Sequence, residues 1–152
     1  MRLLIKSGCW IWLLAATPLL GQWKVSSDFE GGSAKFLSID PNGGRVVFSP
    51  GGDPKRGWPC WWYFRVDNIR PGRELTLELD AGSMRQAGGG PLAENWAMPT
   101  HASYSIDGGK TWRLTPAGRR RGKRMVWKQS IAGKTACFAW GPPFVPSDAS
   151  RQ

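Results

Sequence analysis

The fold is decided by the stretch PCWWYFRVDN at residues 59–68. It is dense in aromatic and β-branched residues and is bounded by prolines on both sides, so it predicts a β-strand. Trp61 and Tyr63 fall on one face of such a strand, while the other face carries Cys60, Trp62, Phe64 and Val66. Because both faces are apolar, we expect a strand that is central in a sheet and covered on both sides, or one that lines an interface.

The rest of the chain repeats this pattern of short strands and turns. Its 152 residues include 20 Gly, 12 Pro and 10 Trp, a composition that favours strands joined by tight turns over helices. We predict an all-β fold, an antiparallel β-sandwich of jelly-roll type with about eight strands. The predicted strands lie at 29–39, 45–48, 60–69, 74–80, 101–106, 111–114, 125–131 and 136–140.

Residues 1–21 have the layout of a secretory signal peptide. Arg2 and Lys6 form a basic start, an apolar run follows from Cys9 to Leu20, and Gly21 stands at the expected cut. The run is short and broken by a proline, which disfavours a membrane span, although an uncleaved N-terminal anchor is the alternative. We therefore expect a periplasmic or secreted protein.

The predicted domain organisation follows from the signal peptide and the strand pattern. The β-sandwich is expected over 22–148, and 149–152 is expected to be a tail or a truncated linker. A length of 152 residues is enough for one ordinary domain and not for two.

Positive charge is concentrated in one segment. The chain has a net charge of +10, and five cations stand among the six residues 119–124, namely Arg119, Arg120, Arg121, Lys123 and Arg124. Such a basic patch suits a polysaccharide or another acidic surface, but a solvated hairpin loop is the simpler interpretation. No nucleic-acid partner is expected, because the run has no interleaved aromatic residue and exported proteins rarely meet nucleic acid.

Two cysteines, Cys60 and Cys137, follow the predicted signal peptide. In an oxidising compartment they are candidates for one disulfide bond, and two buried free thiols are the alternative. Spacing alone does not choose between the two, because disulfide geometry is strict.

The segment SIDGGKTW at 105–112 matches the Asp-box pattern S-x-D-x-G-x-T-W. Asp and Gly adopt the backbone conformations of a tight turn, and the Asp carboxylate can accept hydrogen bonds from turn amides. We therefore assign the motif a structural turn and no catalytic role. Its residues are Ser105, Asp107, Gly108, Gly109, Thr111 and Trp112.

The sequence lacks the usual catalytic and metal-binding patterns. His101 is its one histidine, so neither a His-x-x-Glu nor a His-Glu-x-x-His zinc motif is present. A Gly-x-Ser-x-Gly elbow and a phosphate-cradling loop are also missing. We expect no catalytic residues, no metal and no cofactor.

Three stretches together resemble a known family. They are WYFRV at 62–66 with the leucine-alternating strand after it, the hairpin from Tyr104 to Trp112, and ACFAWGPPF at 136–144 before Ser147-Asp148. In this order they resemble the β-sandwich domain that precedes the catalytic domain of cytosolic-carboxypeptidase-like zinc carboxypeptidases. The resemblance covers about 29–148, and the signal peptide is a departure from the family.

The resemblance implies a function without catalysis. In that family the sandwich packs on the catalytic domain and helps to shape the substrate entrance, while the zinc ligands and the catalytic glutamate belong to the following domain. That domain is absent from this sequence, so we expect a non-catalytic accessory domain, alone or from a truncated or split gene. Its partner is then a peptidase domain supplied in trans, or a second copy. The expected partner interface comprises Trp61, Tyr63, Trp140, Pro142, Pro143 and Phe144.

A secreted carbohydrate-binding module is the alternative function. Exposed tryptophans on a jelly roll stack on sugar rings, and ten tryptophans allow such a surface. Sugar-binding tryptophans are expected as a flat exposed row on one sheet, whereas packing tryptophans are expected to be buried.

Overall fold

The computed structural model describes residues 22–52, 58–82 and 94–144. The predicted signal peptide and the predicted tail lie outside these residues. Within the described part, ten strands and a helix of one turn follow in the order β1 Lys24–Ser26, β2 Ala34–Asp40, β3 Arg45–Pro50, β4 Tyr63–Asp67, β5 Arg73–Asp80, α1 Glu94–Ala97, β6 Ser103–Ser105, β7 Arg113–Leu114, β8 Arg119–Arg121, β9 Arg124–Ile131 and β10 Thr135–Ala139.

The strands form two sheets of five. One sheet, called the β4 sheet, has the spatial order β1-β4-β10-β6-β7, and the other, called the β5 sheet, has the order β2-β3-β5-β9-β8. Neighbouring strands are antiparallel except for β3 and β5, which run parallel. The architecture is the predicted all-β sandwich.

The aromatic stretch lies at the centre of the β4 sheet. Trp62, Phe64 and Val66 are fully buried and face the β5 sheet across the main core. The Phe48 ring of β3 meets the Phe64 ring with 4.8 Å between centroids, and the Trp127 ring of β9 lies 5.7 Å from the Trp62 ring. Burying a side chain such as Phe48 or Phe64 contributes about 1.5–3 kcal/mol relative to leaving it exposed.

The opposite face of β4 is also covered. Tyr63 is 8% exposed and belongs to a second, smaller cluster with Cys137 and Ala139, against which Phe29 and Trp112 pack. The strand is therefore central and covered on both sides, which is the first of the two arrangements that its sequence allows.

The residues of the turn between β2 and β3 explain its conformation. The Asp40 carboxylate accepts a hydrogen bond from the Gly43 N–H at 2.9 Å, and Gly44 adopts a positive φ of 71°. A Cβ at Gly44 would lie 2.9 Å from the Glu74 carbonyl oxygen, so the position needs glycine for both conformation and space.

Several predicted boundaries are wrong for local reasons. The strand predicted at 29–39 begins only at Ala34, because the Gly32 N–H bonds to the Phe29 carbonyl and closes a turn before it. Strands β1 and β8 were not predicted, since three residues are too few to show an alternating pattern. Between the strands predicted at 74–80 and 101–106 the structure contains the one-turn helix α1, and residues 83–93 lie outside the described part.

Strand register defines two ends of the sandwich. Thr135 pairs with Asp67 at one end of β4 and β10, and Ala139 pairs with Tyr63 at the other. Beyond Ala139 the Trp140 N–H still bonds to the Trp62 carbonyl at 3.0 Å, so Trp140 is fixed at this second end.

Candidate interaction surfaces

The end of the sandwich at Trp140 carries exposed aromatic side chains and is called the aromatic end. The rings of Trp58 and Trp140 meet edge to face with 4.9 Å between centroids, and the Trp140 indole N–H donates to the Trp96 carbonyl at 2.9 Å. Trp58 is 37% exposed and Trp96 is 64% exposed. Phe144, which follows along the same segment, is 71% exposed. The aromatic end is defined by these four residues.

The predicted interface residues divide between two places. Trp140, Pro142, Pro143 and Phe144 belong to the segment at the aromatic end, where Pro142 is exposed and Pro143 is half-buried. Tyr63 is buried under the loop that carries Trp112, with 5.7 Å between the two ring centroids, so its assignment to an interface is wrong.

The half-buried Trp61 side chain packs on the face of the β4 sheet that carries the Tyr63 cluster, while its backbone N–H donates to the Trp58 carbonyl at 3.4 Å. The Trp61 indole N–H donates to the Gly31 carbonyl at 2.9 Å. Sequence reasoning missed Trp58 and Trp96, which stand outside every predicted strand. The signal in the sequence was a large aromatic residue outside any strand pattern, which is a candidate for an exposed side chain.

The 105–112 loop is held by its own side chains. Asp107 Oδ1 accepts the N–H groups of Lys110 and Thr111, each at 3.0 Å, and Asp107 Oδ2 accepts the Thr111 hydroxyl at 2.6 Å. The Ser105 hydroxyl donates to Asp107 Oδ1 at 2.7 Å and accepts the Gly109 N–H at 2.9 Å. Bonds from Thr111, then from Ser105 and Lys110, hold the pKa of Asp107 well below its usual range.

Both cysteines are free thiols, so the structure does not contain the disulfide considered from the sequence. Cys60 belongs to the main core, whereas Cys137 belongs to the smaller cluster around Tyr63. The β4 sheet separates these clusters, which places the two sulfurs on opposite sides of it. Burial raises the pKa of both thiols, and the charged forms are disfavoured accordingly.

The outer face of the β5 sheet carries an ion-pair network. Glu78 accepts from Arg45 at 2.5 Å and from Arg124 at 2.7 Å, and Arg124 also reaches Asp80 at 3.0 Å. Burial by itself would raise the pKa of Glu78, but the hydrogen bonds and charges of Arg45 and Arg124 outweigh it and lower the pKa.

The predicted basic patch forms a hairpin at the edge of the β5 sheet. Strand β8 pairs with the start of β9, and all five cations of residues 119–124 are exposed. Arg124 forms an ion pair with Glu78. The Arg120 Nε donates to the Gly122 carbonyl at 3.0 Å. A basic edge strand resists pairing with the edge of another sheet, which gives the patch a structural role irrespective of any ligand.

The described residues offer no assembled metal centre. Within 22–52, 58–82 and 94–144, no three His, Cys, Asp or Glu side chains stand together where they could hold a metal. His101 is exposed, and its Nδ1 lies 2.8 Å from the Thr115 carbonyl oxygen. The described part of the chain also contains no helix with the length and hydropathy of a membrane span.

Comparison with solved structures shows the same sandwich in much longer proteins. A metallo-carboxypeptidase from Burkholderia cenocepacia is 18% identical, with a TM-score of 0.67 over 86% of this chain and 32% of that one. A metallo-carboxypeptidase from Pseudomonas aeruginosa, solved with (2-guanidinoethylmercapto)succinic acid, is 19% identical, with a TM-score of 0.64 over 84% of this chain and 32% of that one. The chain thus spans about a third of the length of these proteins.

At such identities the solved structures establish similarity of fold alone. No curated protein matches the sequence. The family model described as the cytosolic carboxypeptidase N-terminal domain matches residues 25–140, which include all ten strands except the first residue of β1. The chain therefore belongs to the cytosolic carboxypeptidase N-terminal domain family.

Proposed function

We propose that this chain is a non-catalytic accessory domain that packs on a metallocarboxypeptidase catalytic domain through its aromatic end and helps to shape the entrance to that domain's active site. The observation that carries the proposal is the exposure of Trp96 and Phe144, which are 64% and 71% exposed. Large aromatic side chains are favoured anchors of protein interfaces, because each removes much apolar area from water when it docks.

The aromatic end is organised before any partner arrives. The hydrogen bond from the Trp140 indole to the Trp96 carbonyl ties α1 to the end of β10, and the Trp58 ring rests against the Trp140 ring. A docking surface whose groups are already fixed loses less conformational entropy on binding. These contacts therefore favour an interface over an incidental cluster of exposed side chains.

The position of the aromatic end suits a catalytic partner. Trp140 is the last residue that the family model matches, and the chain leaves the sandwich there. In the solved carboxypeptidases the region similar to this chain is about a third of the protein, so most of their length lies outside the sandwich. We infer that a peptidase domain, on the same or on a separate polypeptide, covers the aromatic end.

The absence of a metal-binding group among the described residues supports a non-catalytic role. The carbohydrate-binding alternative gains no support from the geometry of the described tryptophans. Trp62 and Trp127 are fully buried in the core, and the rings of Trp58 and Trp140 are inclined at 71° to one another. A sugar-stacking platform needs flat, parallel ring faces, which this pair does not supply.

Photo-cross-linking from the aromatic end tests the proposal. The change is Trp96→p-benzoylphenylalanine in the chain expressed from its natural genomic setting, and adducts are identified by mass spectrometry. The expected adduct is a polypeptide segment that carries a zinc carboxypeptidase catalytic domain, because Trp96 is the exposed tryptophan of α1.

The matched control places the same photo-reactive group at Leu37, which is 55% exposed in the edge strand β2. No peptidase adduct is expected from that position. Peptidase adducts of equal yield from both positions, or an adduct from position 96 to a second copy of this chain only, would contradict the proposal.

A further inference from the structure

The opposite end of the sandwich holds an open cleft of about 740 Å³, within the usual size range of small-molecule sites. It lies where Asp67 pairs with Thr135, at the far end of β4 and β10 from Trp140. Its lining comes from four separate parts of the chain and includes Trp23, Asn42, Asn68, Arg70, Arg73 and Lys134. It is called the basic cleft below.

Positive charge in this cleft is not balanced from within. Arg70, Arg73 and Lys134 line it, and none of the described residues that line it is acidic. The nearby Asp67 carboxylate is already engaged, since it accepts from the Arg65 guanidinium and the Thr135 hydroxyl, each at 3.0 Å. The three cations that line the cleft therefore give it a positive potential.

Backbone contacts hold the walls of the cleft in place. The Ile69 N–H donates to the Lys134 carbonyl at 2.9 Å, which joins the β4–β5 loop to the turn before β10. Asn68 adopts a left-handed φ of 62°, and its side-chain amide donates to the Gln22 carbonyl at 3.0 Å. The Arg73 guanidinium donates to the Asn42 carbonyl. Asparagine adopts this backbone region more readily than other non-glycine residues, so the conformation suits the residue that the sequence places there.

We infer that the basic cleft binds a compact polyanion that carries at least two carboxylate or phosphate groups. Guanidinium groups bind both kinds of oxyanion with paired hydrogen bonds, and a lysine adds a point charge. The half-buried Trp23 supplies an apolar wall for the body of the ligand, whereas Ile69 is only 2% exposed. The inference is independent of the proposed function, because the cleft and the aromatic end lie at opposite ends of the fold and can be occupied together.

Isothermal titration of the full chain with pyrophosphate and, separately, with citrate tests this inference. Saturable binding of one equivalent of at least one probe is expected, and the preferred probe identifies the anionic group as phosphate or carboxylate. The double variant Arg70→Ala/Lys134→Ala removes two exposed cations of the cleft and is expected to weaken binding at least tenfold.

The matched control is Arg119→Ala/Arg121→Ala, which removes the same charge from the exposed edge strand β8. It is expected to change the dissociation constant by less than about twofold, because screening limits distant charges at physiological salt. Circular dichroism melts of both variants verify that the fold is kept. Saturable binding of neither probe, or equal weakening in the two double variants, would overturn the inference.

Discussion

Indole N–H groups show how far single residues can be interpreted from the sequence. The N–H of Trp127 donates to the Thr100 carbonyl at 3.1 Å inside the core, and that of Trp112 donates to the Gly109 carbonyl at 3.0 Å in a loop. The N–H of Trp140 donates to the Trp96 carbonyl at the aromatic end. The residue type predicts that a tryptophan ring packs against apolar side chains and that its N–H donates to a hydrogen-bond acceptor. It does not predict which loop supplies that acceptor.

Protonation of Glu78 is expected to lower the stability of the fold. Its folded pKa is lowered, so the unfolded chain binds a proton more readily once the pH falls below the ordinary glutamate value of 4.5. The stability that Glu78 contributes is present above that value and is lost as the pH falls through its folded pKa. Glu78→Gln is expected to cost about 1–3 kcal/mol at pH 7, because two charge-assisted hydrogen bonds are weakened.

Urea unfolding at pH 7 and pH 3 measures this effect. The gap in unfolding free energy between the native chain and Glu78→Gln should narrow at pH 3. Glu74→Gln is the control, because the Glu74–Lys128 pair is exposed and such pairs contribute about 0–1 kcal/mol. A gap that is equal at both pH values would contradict the expected role of Glu78.

At the scale of elements, the 105–112 loop is held by side chains whose partners are close in the sequence. Ser105, Asp107 and Thr111 bond to one another within a few residues, so the sequence alone contains the pattern that forms the turn. Strand β8 is the contrasting case. Strand β8 forms because it pairs with β9, and its three consecutive arginines carry no sequence pattern that predicts a strand.

Asp107→Ala is expected to lower the melting temperature without affecting contacts at the aromatic end. The substitution removes an acceptor of four hydrogen-bond donors in the loop that covers Tyr63, while leaving the Trp58–Trp140 contact in place. Thermal unfolding followed by circular dichroism measures the loss. Asp107→Asn keeps one acceptor oxygen and should fall between the native chain and the alanine variant. An unchanged melting temperature together with a lost adduct from position 96 would instead show a functional loop.

For the whole molecule, we expect no peptidase activity. The full chain incubated with peptides should release no C-terminal residue, with or without added Zn²⁺, because the family model that it matches is that of the N-terminal domain of cytosolic carboxypeptidases. Chromatographic detection of free amino acids measures this, with an active metallocarboxypeptidase as the positive control. Zinc-dependent release that His101→Ala abolishes would contradict the expectation.

The sequence predicts the fold class and most of the long strands because alternation and turn residues are local signals. The aromatic stretch, the leucine-alternating strand β5 and the turn after β2 all follow from a few adjacent residues. The basic cleft was not predicted because Lys134 is distant in the chain from Arg70 and Arg73, and the three residues line one cleft only after β4 and β10 pair. The exposure of Trp58 and Trp96 was not predicted for a similar reason, since the burial of a side chain depends on the whole assembled sandwich.

The parallel pairing of β3 with β5 has a consequence for how the chain folds. After β3 the polypeptide crosses to the β4 sheet, forms β4 and returns, so the connection between the paired strands β3 and β5 contains a strand of the opposite sheet. Neither sheet can form from a continuous run of hairpins. A high contact order of this kind slows folding, because the entropy of loop closure is lost before the long-range contacts that stabilise the fold can form. The two sheets should accordingly form together in one cooperative step, and neither half of the sandwich should persist without the other.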